Sequence, residues 1–302
     1  MAVGVLALLG GDKRELELIP ALTKIGWQMQ VYGLPAGYLP EGVKVFAEIR
    51  EALAGADILI LPVPGIRNDG FLHAPFLPPC KVDEQDLRVL APGTTVVTGI
   101  VSPYLRQLAE LCRLNLVETM ELDEVAVPNA VPTAEGAIQV AMGNLPITIN
   151  NSRVLVIGYG RVGQALAKRL AALNAKVTVV NRSEDYRLAK ARDDGFVAVD
   201  LQDLAGALSD AQVIFNTAPA LVLTKEILSK LNSSTLIIDL AAIPGGTDWQ
   251  AAENLGLKTI HALSLPGKVA PVTAGQILAA SYPNVLAQIK KSQLNKAEKE
   301  VL

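Results

Sequence analysis

The sequence predicts an α/β protein made of two doubly wound parallel-sheet domains joined by a linker helix. Short apolar runs alternate with segments whose apolar residues recur at helical spacing, and this alternation starts again near residue 153 after a proline-containing boundary. The chain has 302 residues, half of them hydrophobic, which is enough for two domains. Strands that alternate with helices form a parallel sheet with helices on both faces.

The first domain is predicted to open with a strand over 3–9, the turn Gly10-Gly11-Asp12 and a helix over 13–25. This turn either holds a substrate anion or is an ordinary tight connection. An irregular, proline-rich loop follows a later strand at 64–80, at the edge of a parallel sheet where ligands bind. The remaining strands are expected at 28–32, 43–46, 57–63, 94–99 and 116–118, and the remaining helices at 48–54, 83–90 and 103–111.

A helix over 133–144 is predicted to link the two domains, with its start set by Pro132 and Thr133. We expect residues 1–131 to form a substrate-binding domain and residues 132–272 to form a nucleotide-binding domain. The C-terminal helix, 273–302, should pack back on the first domain. From Lys290 onward the chain is polar, and we expect it to fray.

An apolar run over 154–157 ends in the pattern G-x-G-x-x-G, and an amphipathic segment follows at once. In this setting the first glycine permits a tight turn, the second lets the backbone approach a pyrophosphate, and the third allows helix and strand to pack closely. Five later strands are predicted in this domain, at 176–180, 196–199, 212–215, 235–240 and 257–260. Together with the strand-turn-helix unit that opens the first domain, the pattern predicts two Rossmann-like domains. The predicted phosphate-binding residues are Gly158, Tyr159, Gly160, Arg161, Val162 and Gly163.

The residues after the second strand of this domain indicate which dinucleotide binds. An NAD site places Asp or Glu about 20 residues past the glycines, to accept a hydrogen bond from the ribose 2′-hydroxyl. This chain has Asn181, Arg182 and Ser183 there. A guanidinium, a hydroxyl and a helix N-terminus attract a 2′-phosphate, so we predict NADP. The alternative is that these residues only turn the chain and cap a helix.

Loops after the later strands are rich in small residues and proline, and they predict a rigid wall for the nicotinamide ribose. Two helix starts there show the S/T-x-x-Q capping pattern, at Thr247 and Thr273. Lys268 either holds an anionic substrate beside the nicotinamide and exchanges protons with it, or is a solvated surface lysine. The candidate cofactor contacts are Thr217, Pro219, Leu240, Ala241 and Lys268.

Candidates for acid–base chemistry are few. The two histidines, His73 and His261, lack a carboxylate partner at a recognisable sequence spacing, so each is weakly favoured as a general base. Glu135, near the predicted start of the linker helix, either exchanges protons with a substrate or only interacts with the helix dipole. The predicted catalytic residues are Glu135, Lys268 and Thr133.

Composition excludes several classes of function. Net charge is −3 without a basic block, which disfavours nucleic acid and anionic membranes as partners. No apolar run is long enough to span a bilayer, and no secretory leader is evident, so we expect a cytoplasmic protein. Cys80 and Cys112 lie far apart without histidines at ligand spacing, so no metal site is expected. Hydrolase and P-loop motifs are absent.

Several unusual motifs occur in a fixed order from the first strand to about Leu286, and together they resemble the A-subunit family of bacterial dipicolinate synthase. The resemblance implies an enzyme that dehydrates and oxidises a hydroxy-tetrahydrodipicolinate from the lysine pathway to pyridine-2,6-dicarboxylate during spore formation. It also implies a flavoprotein-like partner, the B-subunit of the same synthase. The motifs are Gly10-Gly11-Asp12, Val131-Pro132-Thr133-Ala134-Glu135-Gly136, Asp239-Leu240-Ala241, Pro244-Gly245-Gly246-Thr247-Asp248, Leu265-Pro266-Gly267, Ala270-Pro271 and Thr273-Ala274-Gly275.

A dicarboxylate must be held by cations, by helix N-termini or by hydroxyls. Arg14 is favoured over Lys13 because its planar fork fits a carboxylate at two points, whereas both side chains could instead lie on the solvent face of the first helix. The candidate substrate-binding residues are Gly11, Asp12, Lys13, Arg14 and Ser102, with backbone N–H groups after Gly10-Gly11 beside them. A dehydrogenase of another small cyclic or hydroxy acid, a homo-oligomer and a non-catalytic nucleotide-binding regulatory protein stay open as alternatives.

Overall fold

The computed structural model describes residues 3–208 and 210–300 and divides into two compact units. The first unit runs to Ala126 and resumes at Pro271, and the second is Val127–Ala270. Each contains one six-stranded parallel sheet, so the predicted α/β class with two Rossmann-like sheets is confirmed. In both sheets the strands follow the same order, in which the third, second and first strands of the unit lie beside the fourth, fifth and sixth.

The strands of the first unit are β1 (Gly4–Leu9), β2 (Trp27–Tyr32), β3 (Lys44–Val45), β4 (Ile58–Ile60), β5 (Thr95–Thr98) and β6 (Asn115–Glu118). Its shorter helices are α1 (Lys13–Lys24), α2 (Ile49–Leu53), α3 (Glu84–Leu87) and α4 (Pro103–Leu111). Between β4 and α3 the chain forms the irregular loop that its prolines predict, and His73 lies in it.

A long helix, α5 (Asp123–Asn144), leads from the first unit into the second. The strands there are β7 (Arg153–Ile157), β8 (Lys176–Asn181), β9 (Val197–Asp200), β10 (Val213–Asn216), β11 (Leu236–Asp239) and β12 (Lys258–His261). The helices are α6 (Arg161–Ala172), α7 (Tyr186–Asp193), α8 (Leu204–Ala207), α9 (Lys225–Leu228), α10 (Trp249–Asn254) and α11 (Leu265–Val269), and α12 (Pro271–Glu300) returns to the first unit.

Both faces of each sheet are buried, which explains why the strands are continuous apolar runs. Along β1, Leu6 and Leu8 pack into a cluster with α1 and α12, whereas Ala7 and Leu9 face the opposite cluster with α2 and α4. Alternate residues of β7 divide in the same way between two clusters of the second unit. The period of two along each strand therefore supplies apolar side chains to two helix layers at once.

The prediction that the linker helix starts at Thr133 is wrong, because α5 begins ten residues earlier and contains Pro128 and Pro132. A proline inside a helix removes the donor for the carbonyl four residues before it. Pro128 leaves the Glu124 carbonyl without its helical partner, and the Ser281 hydroxyl of α12 donates to that oxygen at 2.9 Å. A side chain distant in sequence thus satisfies the group that the proline leaves open.

The C-terminal helix α12 packs closely against α1 of the first unit. A Cβ built at Gly275 would stand 2.6 Å from the Arg14 carbonyl oxygen and 2.7 Å from Glu17 Cβ, so only glycine fits there. The helix begins at Pro271, which corrects the predicted cap at Thr273. It also continues to Glu300, so the chain does not leave its helix at Lys290 as expected.

In the part of the chain that the structure describes, no helix is both long and apolar enough to cross a membrane.

Candidate functional site

The glycine turn of the second unit joins β7 to α6 with the predicted geometry. Gly158 has φ +90°, and a Cβ there would lie 2.4 Å from Thr217 Oγ1. A Cβ on Gly163 would lie 2.2 Å from the Gly158 carbonyl oxygen, so this glycine lets the helix press against the turn. At Gly160, by contrast, nothing lies within 4 Å of a built Cβ. The turn is therefore packed on the protein side and open where a phosphate would approach.

Residues inside the turn present their backbone to this open space. Tyr159 is fully buried, and its hydroxyl donates to Asp194 Oδ2 at 2.7 Å. Burial, followed by this hydrogen bond, raises the pKa of Tyr159. Its side chain is thus part of the core, and only its main chain is available to a ligand. Arg161 opens α6, and Val162 is half-buried in its first turn.

A cavity of about 300 Å³ lies beside the turn, wholly within the second unit. It extends to the end of β8, where Asn181 and Arg182 line it. The amide nitrogen Nδ2 of Asn181 is buried there and forms no hydrogen bond of ordinary geometry, although the Asn181 side chain is near enough to Asp185 to help lower the pKa of that carboxyl. A buried unpaired donor is costly, so this amide fits a bound acceptor such as a ribose or phosphate oxygen. Other lining residues are Gly158, Tyr159, Gly160, Asp185, Arg187, Thr217, Pro219 and Val222.

Charged residues near β8 lie around the start of α7. Asp185 caps the helix, accepting from the Arg187 backbone N–H at 3.0 Å, and its other oxygen pairs with Arg187 Nη1 at 3.1 Å. The Arg187 backbone bond and then its charge hold the pKa of Asp185 below its usual range. Arg182 is exposed. The pKa of Asp200 is lowered chiefly by a hydrogen bond from the Gln202 backbone and next by one from the Ser183 side chain. Sequence reasoning missed Arg187, which no motif marks.

Asp239, at the end of β11, organises the loops next to this cavity. Its carboxylate is fully buried and accepts four hydrogen bonds: Oδ1 from Asn216 Nδ2 and the Ala241 N–H, both at 3.0 Å, and Oδ2 from the Gly246 N–H at 2.8 Å and the Thr247 hydroxyl at 2.7 Å. One carboxylate therefore ties together the loops after β10 and β11.

The predicted cap at Thr247 is wrong for the same reason. Its hydroxyl is directed at Asp239, and Asp248 instead caps α10 by accepting from the Ala251 N–H at 3.0 Å. Leu240 and Ala241 follow Asp239 directly, but neither lines the cavity. His261 stacks on Trp249 with ring centroids 4.9 Å apart, and its Nε2 donates to the Ala241 carbonyl at 2.8 Å.

The three predicted catalytic residues lie in α5 and α11. Glu135 is in the middle of α5 rather than in its first turn, and it pairs on the surface with Arg169 at 3.2 Å. Thr133 donates to the Asn129 carbonyl of its own helix at 2.8 Å. Lys268 lies in the last turn of α11, a short helix rather than the expected loop.

Helices α5 and α11 touch at Gly136. A Cβ built there would stand 3.0 Å from both Leu265 Cβ and Val269 Cγ2. This close approach places the Thr133–Glu135 turn and Lys268 on neighbouring helices of the same unit. It also gives a packing reason for the glycine in the motif Thr133-Ala134-Glu135-Gly136.

In the first unit, the turn after β1 forms a dense ionic cluster. Arg14 is 4% exposed, and both its Nε and Nη2 donate to the Asp12 carboxylate, at 2.9 and 2.8 Å. Glu15 is almost fully buried and accepts from the Asp12 N–H at 2.7 Å, which completes a capping box. His73 Nε2 lies 3.1 Å from Asp12 Oδ2. The sequence did not reveal this pair, because its members are 61 residues apart.

This cluster changes the assignments made for substrate binding. Arg14 is buried rather than on the solvent face of α1. Its guanidinium is not free to bind a substrate carboxylate, because Nε and Nη2 both donate to Asp12. Two of the backbone N–H groups expected to be free after Gly10-Gly11 are bonded within the cluster: the Asp12 N–H donates to Glu15 Oε2 at 2.7 Å, and the Arg14 N–H to Asp12 Oδ1 at 2.9 Å. Lys13 is exposed, and Ser102 caps α4 by accepting from the Leu105 N–H at 3.1 Å.

The electrostatics of the cluster follow from burial and pairing. Burial alone would raise the pKa of Asp12, but hydrogen bonds from His73 and Arg14 outweigh it and hold that pKa well below its usual range. Burial raises the pKa of Glu15 to about 7, against the opposing charge of Arg14. Asp12 is therefore ionised near neutral pH. Among the described residues no group of side chains is arranged to hold a metal ion.

Two parallel sheets of the same strand order, one with an open glycine turn, define a protein of two Rossmann-like units, a fold class that binds dinucleotides. Comparisons agree with this class: the profile of the D-isomer-specific 2-hydroxyacid dehydrogenase NAD-binding domain matches residues 133–241. A second profile, the N-terminal domain of the dipicolinate synthase A-subunit, matches residues 5–120. The chain belongs to the dipicolinate synthase A-subunit family.

Individual relatives support that assignment. The chain is 37% identical over 292 residues to the dipicolinate synthase A-subunit of Bacillus subtilis (strain 168), a match that covers 95% of this chain and 97% of that protein. The crystal structure of the Bacillus halodurans A-subunit superposes with a TM-score of 0.89 at 35% identity, covering 95% and 98% of the two chains. A shikimate dehydrogenase (NADP(+)) of Halobacterium salinarum is 28% identical over 53% of this chain and 63% of its own.

Proposed function

We propose that this protein is an NADP-dependent oxidoreductase that forms pyridine-2,6-dicarboxylate from a hydroxy-tetrahydrodipicolinate. The observation that carries the proposal is the identity to the dipicolinate synthase A-subunit, which extends over both units rather than over the nucleotide-binding unit alone. The reaction removes one water from the ring, and then one hydride and one proton, which leaves the aromatic product.

The choice of NADP rests on the charges at the end of β8. Asn181 stands where an NAD site has an acidic residue, which would accept a hydrogen bond from the ribose 2′-hydroxyl and repel a 2′-phosphate. The next residue, Arg182, is exposed. Asp185 also lines the cavity, but its charge is paired with Arg187. Two arginines against one aspartate leave the lining of this edge net positive. One relative that matches 53% of this chain is named as an NADP(+) enzyme.

The residues that would hold the cofactor are the glycine turn for the pyrophosphate, Asn181 and Arg182 for the adenosine ribose phosphate, and Thr217 and Pro219 along the cavity wall. When bound, the nicotinamide supplies a hydride acceptor. Asp239 fixes the loop that carries Leu240 and Ala241, so these two act through the loop and not as cavity lining. In this proposal Lys268, with Thr133 on the adjacent helix, orients an anionic substrate, and Glu135 is a candidate for proton exchange.

For the substrate, we propose that the first unit supplies the dicarboxylate-binding side, with Lys13 and the Ser102 hydroxyl as direct contacts and the turn Gly11-Asp12 as their support. Arg14 would contact a carboxylate only if its pair with Asp12 opened. A partner, the B-subunit of the synthase, is expected because the relatives are named as one of its subunits. We propose that the protein works in the cytoplasm of a spore-forming cell.

The test is a spectrophotometric assay of purified protein with the lysine-pathway condensation product and either NADP or NAD, with and without the B-subunit. Reduced cofactor and the pyridine chromophore should appear together, and faster with NADP. Reduced cofactor without the chromophore would point to another small acid as substrate. Product that depends wholly on the B-subunit would assign this chain a regulatory role.

The cofactor preference has its own variants. A charge-assisted contact to phosphate contributes about 1.5–3 kcal/mol, or roughly ten- to a hundred-fold in affinity. Arg182→Ala should lose most of that factor for NADP and little for NAD, as measured by calorimetry. Arg192→Ala is the matched control, because Arg192 lies in the same region but outside the cavity lining. Equal affinity of the unmutated protein for NAD and NADP would refute the NADP assignment.

A further inference from the structure

His73 and Asp12 form a hydrogen-bonded pair at the carboxyl edge of the first sheet, where the loop after β4 meets the start of α1. The imidazole is 34% exposed and the carboxylate 18%, so the pair reaches the surface of this unit without being fully solvated. We propose that His73 is the base that accepts the proton lost by the substrate ring, and that Asp12 is its positioning residue. This inference rests on the proposed function.

The proton positions on this pair follow from the charge of Asp12. An ionised carboxylate only accepts hydrogen bonds, so the hydrogen between the two groups is on His73 Nε2. A neutral imidazole with its hydrogen on Nε2 has its lone pair on Nδ1. Within the described chain no hydrogen bond to Nδ1 occurs. The arrangement of a base oriented through its other nitrogen by a carboxylate is thus complete before any ligand binds.

The backbone fixes the position of His73 as firmly as its side chain. Its carbonyl accepts the Gly11 N–H at 2.8 Å, and its N–H donates to the Gly65 carbonyl at 3.2 Å. A Cβ built at Gly10 would stand only 2.6 Å from the same His73 carbonyl oxygen. The glycine turn after β1 therefore holds the histidine loop in place, and the Gly11 N–H is bonded to that loop rather than available to an anion.

Arg14 has a clear function in this arrangement. By donating two hydrogen bonds to Asp12, it holds that carboxylate ionised and fixed in one plane. An ionised Asp12 accepts the hydrogen bond from His73 Nε2 that fixes the orientation of the imidazole. The buried arginine that the sequence suggested as a substrate anchor instead supports the base.

The proposed step conserves atoms and electrons. After loss of water, oxidation of the dihydropyridine dicarboxylate removes a hydride with both electrons of a C–H bond, and a nicotinamide bound as in the proposed function would supply the hydride acceptor. A proton leaves the ring and forms a bond to Nδ1 of His73, and its former bonding pair enters the aromatic system. The imidazolium keeps its Nε2 bond to Asp12 and then releases the proton to water.

Other titratable groups share this face and must be separated from His73. These groups are Arg14 and Glu15 on α1, Tyr282 on α12 and Tyr32 at the end of β2. Tyr32 interacts with Cys80, which lies in the same loop as His73. Of these, Glu15 is the one able to mimic a histidine in a pH profile, because its pKa is raised to about 7. Only Asp12 is hydrogen-bonded to the imidazole among the described residues.

The kinetic test uses the full-length protein in single turnover, so that chemistry rather than product release is observed. His73→Gln should lower the rate constant about 100-fold or more, the range expected for a lost general base, with KM changed by less than about threefold. The acidic limb of its pH profile should disappear. Asp12→Asn should lower the rate constant about tenfold, with KM again changed by less than about threefold. A circular dichroism spectrum and a thermal melt like those of the unmutated protein show that the variants are folded, because both report on the first unit as well as the second.

A second readout does not depend on turnover. The chain contains two histidines, so labelled imidazoles give two assignable signals, with His261→Gln identifying one of them. Titration with pyridine-2,6-dicarboxylate should shift the His73 signal and move the His261 signal much less. No shift of the His73 signal at saturating dicarboxylate would overturn the assignment.

The kinetic outcomes distinguish the inference from the proposed function. If the unmutated protein makes the pyridine product and His73→Gln makes it equally fast, or loses only substrate affinity, His73 is not the base although the proposed function stands. If Glu15→Gln abolishes the acidic limb and His73→Gln does not, the inference is equally refuted. If the unmutated protein forms no product with either cofactor, the proposed function fails and the inference with it.

Discussion

Two alanine substitutions in one glycine turn should separate folding from cofactor binding. In Gly163→Ala the new Cβ would lie 2.2 Å from the Gly158 carbonyl oxygen, far inside van der Waals contact. That oxygen and the Cα that carries the new Cβ belong to the main chain, so the contact is relieved only by moving a strand or a helix. In Gly160→Ala the new Cβ meets no protein atom within 4 Å. It occupies the open side of the turn, where the pyrophosphate would come closest.

The expected magnitudes follow from these distances. Overpacking of this severity costs at least about 3 kcal/mol, and alanine recovers about 1 kcal/mol over glycine within a helix, so Gly163→Ala should lower the free energy of unfolding by roughly 2 kcal/mol or more. For a unit of this size that is a fall in Tm of about 4–8 °C. Gly160 has φ −76°, which alanine adopts freely, so its variant should change stability by less than about 1 kcal/mol.

The assay is thermal unfolding of both variants without cofactor, followed by calorimetric titration with NADP. Gly160→Ala should melt like the unmutated protein and bind NADP at least about tenfold more weakly, which corresponds to about 1.4 kcal/mol. Gly163→Ala should melt earlier. If Gly160→Ala binds both NADP and NAD as the unmutated protein does, the glycine turn is not the pyrophosphate site.

Three further predictions concern buried polar groups. Because the pKa of Glu15 is raised from 4.5 to about 7, the folded state holds a proton that the unfolded chain releases. The stability that this proton contributes, roughly 1.4 kcal/mol per pKa unit, is present below about pH 4.5 and is lost as the pH rises through 7. Glu15→Gln should flatten this dependence of the free energy of unfolding on pH, measured with urea, and an unchanged dependence would contradict the prediction. Tyr159→Phe should lower the free energy of unfolding in urea by about 1 kcal/mol, because it removes the hydrogen bond to Asp194. Its NADP affinity, measured by calorimetry, should stay the same. Weaker NADP binding would show that the hydroxyl reaches the ligand. Asp239→Ala leaves four hydrogen-bond donors without an acceptor and should lower the free energy of unfolding by at least about 3 kcal/mol. A melting temperature within about 2 °C of that of the unmutated protein, which corresponds to a loss on the order of 1 kcal/mol, would disprove its role in holding the loops together.

Local patterns were enough to predict the sheets and the glycine turn. Strands such as Gly4–Leu9 and Arg153–Ile157 were found from sequence because a parallel strand is buried on both faces and so appears as a continuous apolar run. The turn was found because each glycine meets a local steric need, at Gly158 for positive φ and at Gly163 for close approach. The family resemblance came from the same source, since its motifs are contiguous.

Helix ends were predicted less well, because they depend on which partner satisfies the terminal groups. At Asp123–Asn144, Pro128 locally indicates a helix stop, and it is accepted because Ser281 bonds to the carbonyl that the proline leaves open. At Thr247 the capping pattern was genuine as a sequence match, but a buried carboxylate at Asp239 binds the hydroxyl. In both places a residue outside the local pattern, 157 residues away at Glu124 and eight residues away at Thr247, decides the outcome.

The ionic cluster of the first unit was beyond the reach of sequence alone. Asp12 and Glu15 form a capping box that their spacing of three could have indicated, but nothing in the spacing of His73 and Asp12 pairs them. Their contact exists because β1 and β4 are neighbours in a parallel sheet, so that the segments following both strands emerge at one edge. The sequence by itself therefore determined the fold class, the glycine turn and the family, since each is a local steric or hydrophobic pattern. Only the tertiary structure decided that Arg14 supports Asp12 rather than facing solvent, and that His73 has a carboxylate beside it, because such pairings depend on how strands stack side by side.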